Sequence, residues 1–390
     1  MEHDKLKQHI SLAVDWITKV ATIRSNTPCG EKGKTLNYSD WRGALRGEYD
    51  AGTGIWDVFC PYWHTGQGVK ALVDAADVLE DDSLLLHAQY NAAFLLNNQI
   101  KDGEDKGLFP AFEDRCDLVN TSAILESLDG MFKLSDATGE PIYRNAALEA
   151  AAWVARKAWQ DDLGKFFDYY QVTSSQFIFG LWGAQNRPLI DDAIFITAWK
   201  LTGNKRYYDI AVATAETLLK EEGPDGNWIK ICPCNPKTGI IHPRHAYWWG
   251  RPQLTIYKET GDERFLELFR RSVNWYDNAI RRDGGIIRNT GVDFRTDSFG
   301  HATSGSACAA LCFMDRAKIE DREYWMKRAE LCLNYCCAMQ FTQAKDPNLQ
   351  GAVLEKVSMP NGSDASPYYL RDLGTIFFIQ AAAEYLRMTR

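Results

Sequence analysis

The chain has 390 residues, a formal net charge of −8 and no basic stripe, which excludes a polyanion such as nucleic acid as its main partner. Hydrophobic residues make up 45% and charged residues 25%, the balance of a globular protein with a large core. No apolar run approaches the roughly 18 residues of a membrane span, and the opening MEHDKLKQHISLAVDWITKV lacks the pattern of a signal peptide. The ten cysteines sit mostly in helical patterns beside Ala and Leu, which suits buried free thiols; we expect a cytoplasmic protein with no membrane partner.

The first predicted helix, near 4–24, has no partner next to it in sequence. Helical pairs follow near 63–79 and 82–99, 118–137 and 140–158, 188–201 and 204–221, 245–259 and 262–281, and 301–318 and 321–341. A last helix, near 368–388, is left to pair with the first. Between the helices of several pairs stands Thr-Gly, at Thr138-Gly139, Thr202-Gly203 and Thr260-Gly261, where Gly suits the left-handed closing position of a helix. The first helix of each pair is apolar nearly all round, as in SGSACAALCF. The second is amphipathic, as in ERFLELFRRSVNWY. Buried helices inside amphipathic ones make a double ring. The predicted fold is therefore all-α, an (α/α)6 toroid, with 1–390 as one domain. An open array of repeats would need polar terminal units, and both terminal helices look ordinary. Almost no segment alternates like a strand.

Links from outer to inner helices are long, and those from inner to outer are short. Long loops tend to carry function, and these gather around the N-terminal ends of the inner helices. Polar and aromatic residues concentrate there. They include Tyr62, Trp63, His64 and Gln67; then Asp114, Arg115, Asp117 and Asn120; then Asn186, Arg187, Asp191 and Asp192. Further along come His242, Arg244, His245, Trp248, Trp249, Arg251 and Gln253; then Asp293, Arg295, Asp297 and His301; and last Tyr368, Tyr369, Arg371 and Asp372. Singly, each has a structural explanation: an N-cap, a first-turn carboxylate, an ion pair or a hydrogen-bonded imidazole. Helix capping does not explain their joint clustering at one mouth.

Cys232-Pro-Cys234 and Cys336-Cys337 match no zinc spacing, and Gly66-Gln-Gly68 lacks the Lys-Ser/Thr of a phosphate loop, so no metal and no cofactor are expected.

The stretch from Asn186 to Asp283 resembles the six-hairpin glycosidases of the unsaturated glucuronyl and unsaturated rhamnogalacturonyl hydrolase type. The resemblance rests on Asp191, Thr202-Gly203-Asn204, Tyr207-Tyr208, Asp225-Gly226-Asn227, Asn235-Pro236-Lys237-Thr238-Gly239, Trp249-Gly250-Arg251 and Thr260-Gly261-Asp262. HATSGSACAALC and the CDLVN segment extend it. It implies that an Asp protonates the double bond of a 4,5-unsaturated uronic acid and that water adds at the next carbon. Asp117 would match the first catalytic Asp and Asp191 the second, with Trp249 and Arg251 holding the substrate. The chain departs from the pattern. Asp191 lies closer to its Thr-Gly than the family's second Asp does, Lys230 stands where the family has His, and W-x-RG becomes Trp-Gly-Arg-Pro.

The catalytic candidates are Asp117, Asp191, Asp192, His245 and His301. The substrate-binding candidates are Trp63, His64, Arg115, Asn120, Arg187, Trp248, Trp249, Arg251, Tyr369 and Arg371. The expected partner is an oligosaccharide, on a monomer or homodimer. A hydrolase using two carboxylates is the leading reading. A sugar 2-epimerase based on His245 and His301, a polysaccharide lyase and a non-catalytic sugar-binding protein stand beside it.

Overall fold

The computed structural model describes residues 1–26, 38, 40–115, 117–180, 186–287, 290–295, 302–355 and 369–390. The helices are α1 (His3–Trp16), α2 (Pro61–Leu79), α3 (Ser83–Asn98), α4 (Thr121–Thr138), α5 (Pro141–Trp153), α6 (Ile194–Thr202), α7 (Lys205–Glu221), α8 (Arg251–Thr260), α9 (Glu263–Ala279), α10 (Thr303–Ala317), α11 (Arg322–Ala338) and α12 (Leu373–Thr389). Wider π turns extend α1 and α5 and lead into α8, and a 3-10 turn, Asp191–Ala193, leads into α6.

The Thr-Gly repeat has a local cause. Gly139, Gly203 and Gly261 adopt φ of 73°, 70° and 71° and return their N–H to the helix just ended. The preceding Thr hydroxyl donates to the carbonyl four residues back, at 2.7 Å for Thr138 and Thr202 and 2.9 Å for Thr260. The same oxygen accepts the N–H two residues on. Asn204 and Asp262 then cap the next helix through their side chains. One short sequence thus stops a helix, turns the chain and starts another.

The hairpins α2–α3, α4–α5, α6–α7, α8–α9 and α10–α11 pack as pairs, and α1 packs on α12. Inside, α2 lies between α4 and α12, and α12 against α10. The turns leading into α6 and α8 join α4 to α10, which closes the ring. α10 is buried from Thr303 to Met314, whereas α9 buries only the face carrying Phe265, Leu268, Phe269, Val273 and Tyr276. The sequence pattern of apolar and amphipathic helices is this division between inner and outer rings. Gly66 and Gly130 let α2 and α4 approach closely: a Cβ at Gly130 would stand 2.2 Å from the Gly66 carbonyl oxygen.

Short strands escaped the sequence reading because none is long enough to show alternation. β1 (Gly47–Asp50) pairs antiparallel with β2 (Ile55–Val58). β3 (Leu118–Asn120) precedes α4, and β4 (Trp159–Gln160) pairs with β5 (Lys165–Phe166). β6 (Tyr169–Gln171) lies between β3 and β7 (Gln176–Ile178). β8 (Tyr369–Arg371) joins the other edge of β1. β3 and β8 occupy segments predicted as helix, so α4 begins at Thr121 and α12 at Leu373. Among the described residues, no helix is long and apolar enough to cross a membrane.

Candidate active site

A cavity of about 570 Å³ lies at the N-terminal ends of the inner helices. α2 brings Trp63 to it, β3 and α4 bring Asn120, Ser122 and Glu126, and β6 brings Tyr169 with the preceding Asp168. The long loops add Arg187, Asp191, His242 and Arg244, the turn into α8 adds Trp248 and Trp249, and β8 adds Arg371.

Glu113, Asp114, Glu126, Asp168 and Asp191 bring carboxyls to the cavity, and Glu126 and Asp191 are the two that burial raises. Glu126 lies on a helix buried along most of its length and is 6% exposed. It accepts from the Ser122 hydroxyl at 3.0 Å and from the Trp248 indole N–H at 3.1 Å. Burial pushes Glu126 up to about 7, against the opposing pull of Arg244 and these two hydrogen bonds. Asp191 is 4% exposed, and its Oδ2 has no hydrogen-bond partner among the described residues. Burial, then Glu126, lifts the Asp191 carboxyl well above the ordinary carboxylate range, with Arg187 opposing. Both carboxyls are thus biased toward the protonated form, Glu126 up to about 7, and two acids raised in one cavity suit acid–base chemistry.

The cations are placed differently. Arg187 is committed to Asp168 through two hydrogen bonds of 2.7 Å. Buried Arg244 donates to the Ser304 hydroxyl at 2.8 Å and lies over the Trp63 and Trp248 rings at 5.5 and 5.0 Å. Its Nε has no partner among the described residues, and neither does Trp63 Nε1, so both donors suit an anionic or hydroxyl-bearing ligand.

Asp191 and Asp192 diverge. Asp192 and Ala193 have φ of 47° and 52°, left-handed values that cost on the order of 1–3 kcal/mol each in residues other than Gly. Asp191 lines the cavity; Asp192 lies behind it, 2.9 Å from the Lys70 ammonium.

Of the candidates, the structure brings Trp63, Asn120, Arg187, Asp191, Trp248, Trp249 and Arg371 to the cavity, the last also paired with Glu48. It places others elsewhere. Asp117 precedes a strand rather than a helix and accepts from Gln171 Nε2 at 3.0 Å, outside the cavity. Arg115 does not line it either. His64 is fully buried with Nδ1 2.6 Å from the Asp372 carboxylate. His245 is buried edge-on against Trp275, its ring nitrogens 2.9 and 3.3 Å from the His242 and Gly226 carbonyls. Desolvation lowers His245 to about 4, so it is neutral and sealed off rather than a base facing a substrate. Arg251 pairs with Asp315 at 2.6 Å behind the cavity, and Tyr369 donates to Glu48 at 2.8 Å. His301, Asp297 and Tyr368 lie outside the described residues. Sequence reasoning missed Glu126 and Asp168. For Glu126 the available signal was an acid one turn after Ser122 in the apolar first half of an inner helix.

No protein-family model matches the sequence, and no curated protein matches it. Solved structures do match over the whole chain. An unsaturated glucuronyl hydrolase specific for heparin superposes with a TM-score of 0.71 at 17% identity, covering 100% of this chain and 98% of that one. The unsaturated glucuronyl hydrolase of Bacillus sp. GL1, responsible for the degradation of glycosaminoglycan, gives 0.71 at 15% identity over 99% and 97%. The cellobiose 2-epimerase of Spirochaeta thermophila DSM 6192 gives 0.68 at 13% identity over 98% and 97%. The chain has the six-hairpin (α/α)6 fold that these hydrolases and epimerases share.

Proposed function

We propose that the protein is a glycoside hydrolase that removes a 4,5-unsaturated uronyl residue from the end of a short oligosaccharide. The observation that carries this reading is the buried pair Asp191 and Glu126 lining one cavity, both carboxyls raised by burial. Asp191 gives its proton to C4 of the unsaturated ring. Water adds its oxygen at C5, and Glu126 takes the proton that water loses. The resulting hemiketal opens and releases the remaining sugar, and proton exchange restores the pair. Arg244, with an unpartnered Nε over two indoles, supports recognition of the uronate carboxylate. Trp63, Trp248 and Trp249 offer the flat apolar faces on which a sugar ring packs.

A second reading, a sugar 2-epimerase, draws on His242, which lines the cavity with its ring stacked on Trp248 at 4.5 Å. The lyase reading is weaker: burial and Asp168 raise the Tyr169 hydroxyl, which makes it a poor base.

The test is an unsaturated glucuronyl disaccharide. The wild type is expected to abolish the ultraviolet absorbance of the conjugated double bond, and Asp191→Asn to lower kcat by about a thousandfold. Unchanged absorbance with the wild type refutes the uronide reading. A product of unchanged mass from a saturated disaccharide moves the assignment to the epimerase.

A further inference from the structure

Behind the substrate cavity lies a second one of about 270 Å³, lined by charged and hydroxyl groups that the proposed reaction does not use. Three segments contribute side chains to both cavities. Asp191 lines the front and Asp192 the back; Trp248 the front and Tyr247 the back; Glu126 the front and Asp129, one turn further along α4, the back. A single group touches all three rear partners. The Lys70 ammonium, on α2, is 2.8 Å from Asp129, 2.9 Å from Asp192 and 3.4 Å from the Tyr247 hydroxyl, which itself donates to Asp192 at 3.2 Å.

We propose that Lys70 and Asp192 are positioning residues for the front carboxyl pair, and that their cluster holds the turn before α6 in the left-handed conformation that aims Asp191 into the substrate cavity. This inference rests on the reading of Asp191 as proton donor. Two observations carry it. Asp192 and Ala193 are left-handed although neither is glycine, and strain of that kind persists only where surrounding contacts over-determine it. A buried ion cluster contributes little net stability, so fold stability alone does not account for it. The electrostatics agree. Asp191 faces Glu126 from α4 and Arg187 from its own loop, and the charge of Asp192 adds to the upward pressure on its proton affinity. Asp192 in turn faces Lys70 from α2, and Tyr247 and Arg251 from the segment leading into α8.

The experiment is Asp192→Asn, which keeps the side-chain shape and an acceptor for Tyr247 but removes the charge that Lys70 holds. The γ-carboxyl of Asp191 is followed by 13C NMR titration in protein labelled with 13C-aspartate, its resonance identified by its loss in Asp191→Asn. The expected result is a lower Asp191 midpoint, because a like charge has gone, together with a kcat about tenfold lower and KM within about twofold. A purely structural cluster would lower the melting temperature and leave the midpoint where it was, and that result overturns the proposal. Lys70→Met is expected to show the same split between kcat and KM. If it does not fold, the Asp192→Asn titration decides alone. A wild type inert toward the unsaturated disaccharide with a midpoint that still moves would sink the reaction and leave the positioning role. An active wild type with an unmoved midpoint would do the reverse.

Discussion

Replacing Glu126 with Gln separates its electrostatic cost from its hydrogen bonds, because the two respond differently to pH. Glu126 sits at about 7 in the folded chain against an ordinary 4.5, so ionising it there is harder by about 3 kcal/mol. A carboxyl raised in this way destabilises the fold as pH climbs. Its neutral form is tolerated below the unfolded value, and the cost accumulates until pH passes the folded value. The penalty is about 1 kcal/mol near pH 5 and about 3 kcal/mol near pH 8. Gln carries no charge and escapes the penalty at both. It also replaces a charge-assisted acceptor with an amide, whose carbonyl accepts from Trp248 while its N–H donates to the Ser122 hydroxyl, and the weaker bonds cost about 1 kcal/mol. The variant should match the wild type near pH 5 and exceed it by about 2 kcal/mol near pH 8. For 390 residues that is a rise in melting temperature of about 2–3 °C. Calorimetric melting of both proteins at the two pH values measures it. A difference that stays constant with pH would show that Glu126 does not titrate in this range, and the assignment of acid and base would fall with it. The same variant should lose turnover while gaining stability, as expected where a site is strained for function.

Three further outcomes follow from the geometry. Asp117→Asn should leave turnover within about twofold of the wild type under steady-state assay, since its carboxylate engages Gln171 outside the cavity; a loss of tenfold or more would return it to the reaction. Asp168→Ala leaves the buried Arg187 guanidinium without its bidentate partner and should cost about 3–5 kcal/mol in denaturant unfolding. Gly130→Ala places a methyl 2.2 Å from the Gly66 carbonyl oxygen and should destabilise by about 1–3 kcal/mol or more, whereas Gly203→Ala meets no atom within 4 Å and costs only its left-handed φ.

The ring was legible because its signals are local and repeated. A Thr hydroxyl that bonds backward and forward around a left-handed Gly marks three of the hairpins in the sequence, whatever the tertiary contacts. The mouth was legible for the same reason, since the direction of each hairpin fixes which loops share a face. Depth below that mouth was not legible. Helical periodicity gives the side of a helix on which a residue lies, but not how far down the helix the ligand sits. β3 takes three residues from the predicted start of α4, so Asp117 falls outside the cavity and Glu126, in the second turn of α4, lines the cavity instead. The histidines show the same limit. His64 and His245 lie in the helix-start segments read from sequence, yet both turn inward, one to Asp372 and one to Trp275. Asp191 and Asp192 show a sharper form of it. On a regular helix two successive carboxylates differ by about 100° in direction. Here a left-handed pair, uncommon above all at Ala193, sends them to opposite sides of a wall, Asp191 to the front cavity and Asp192 to Lys70. The part of the sequence that departs from its local rule is therefore the part that separates Asp191 from Asp192, and helical periodicity alone could not have placed the two.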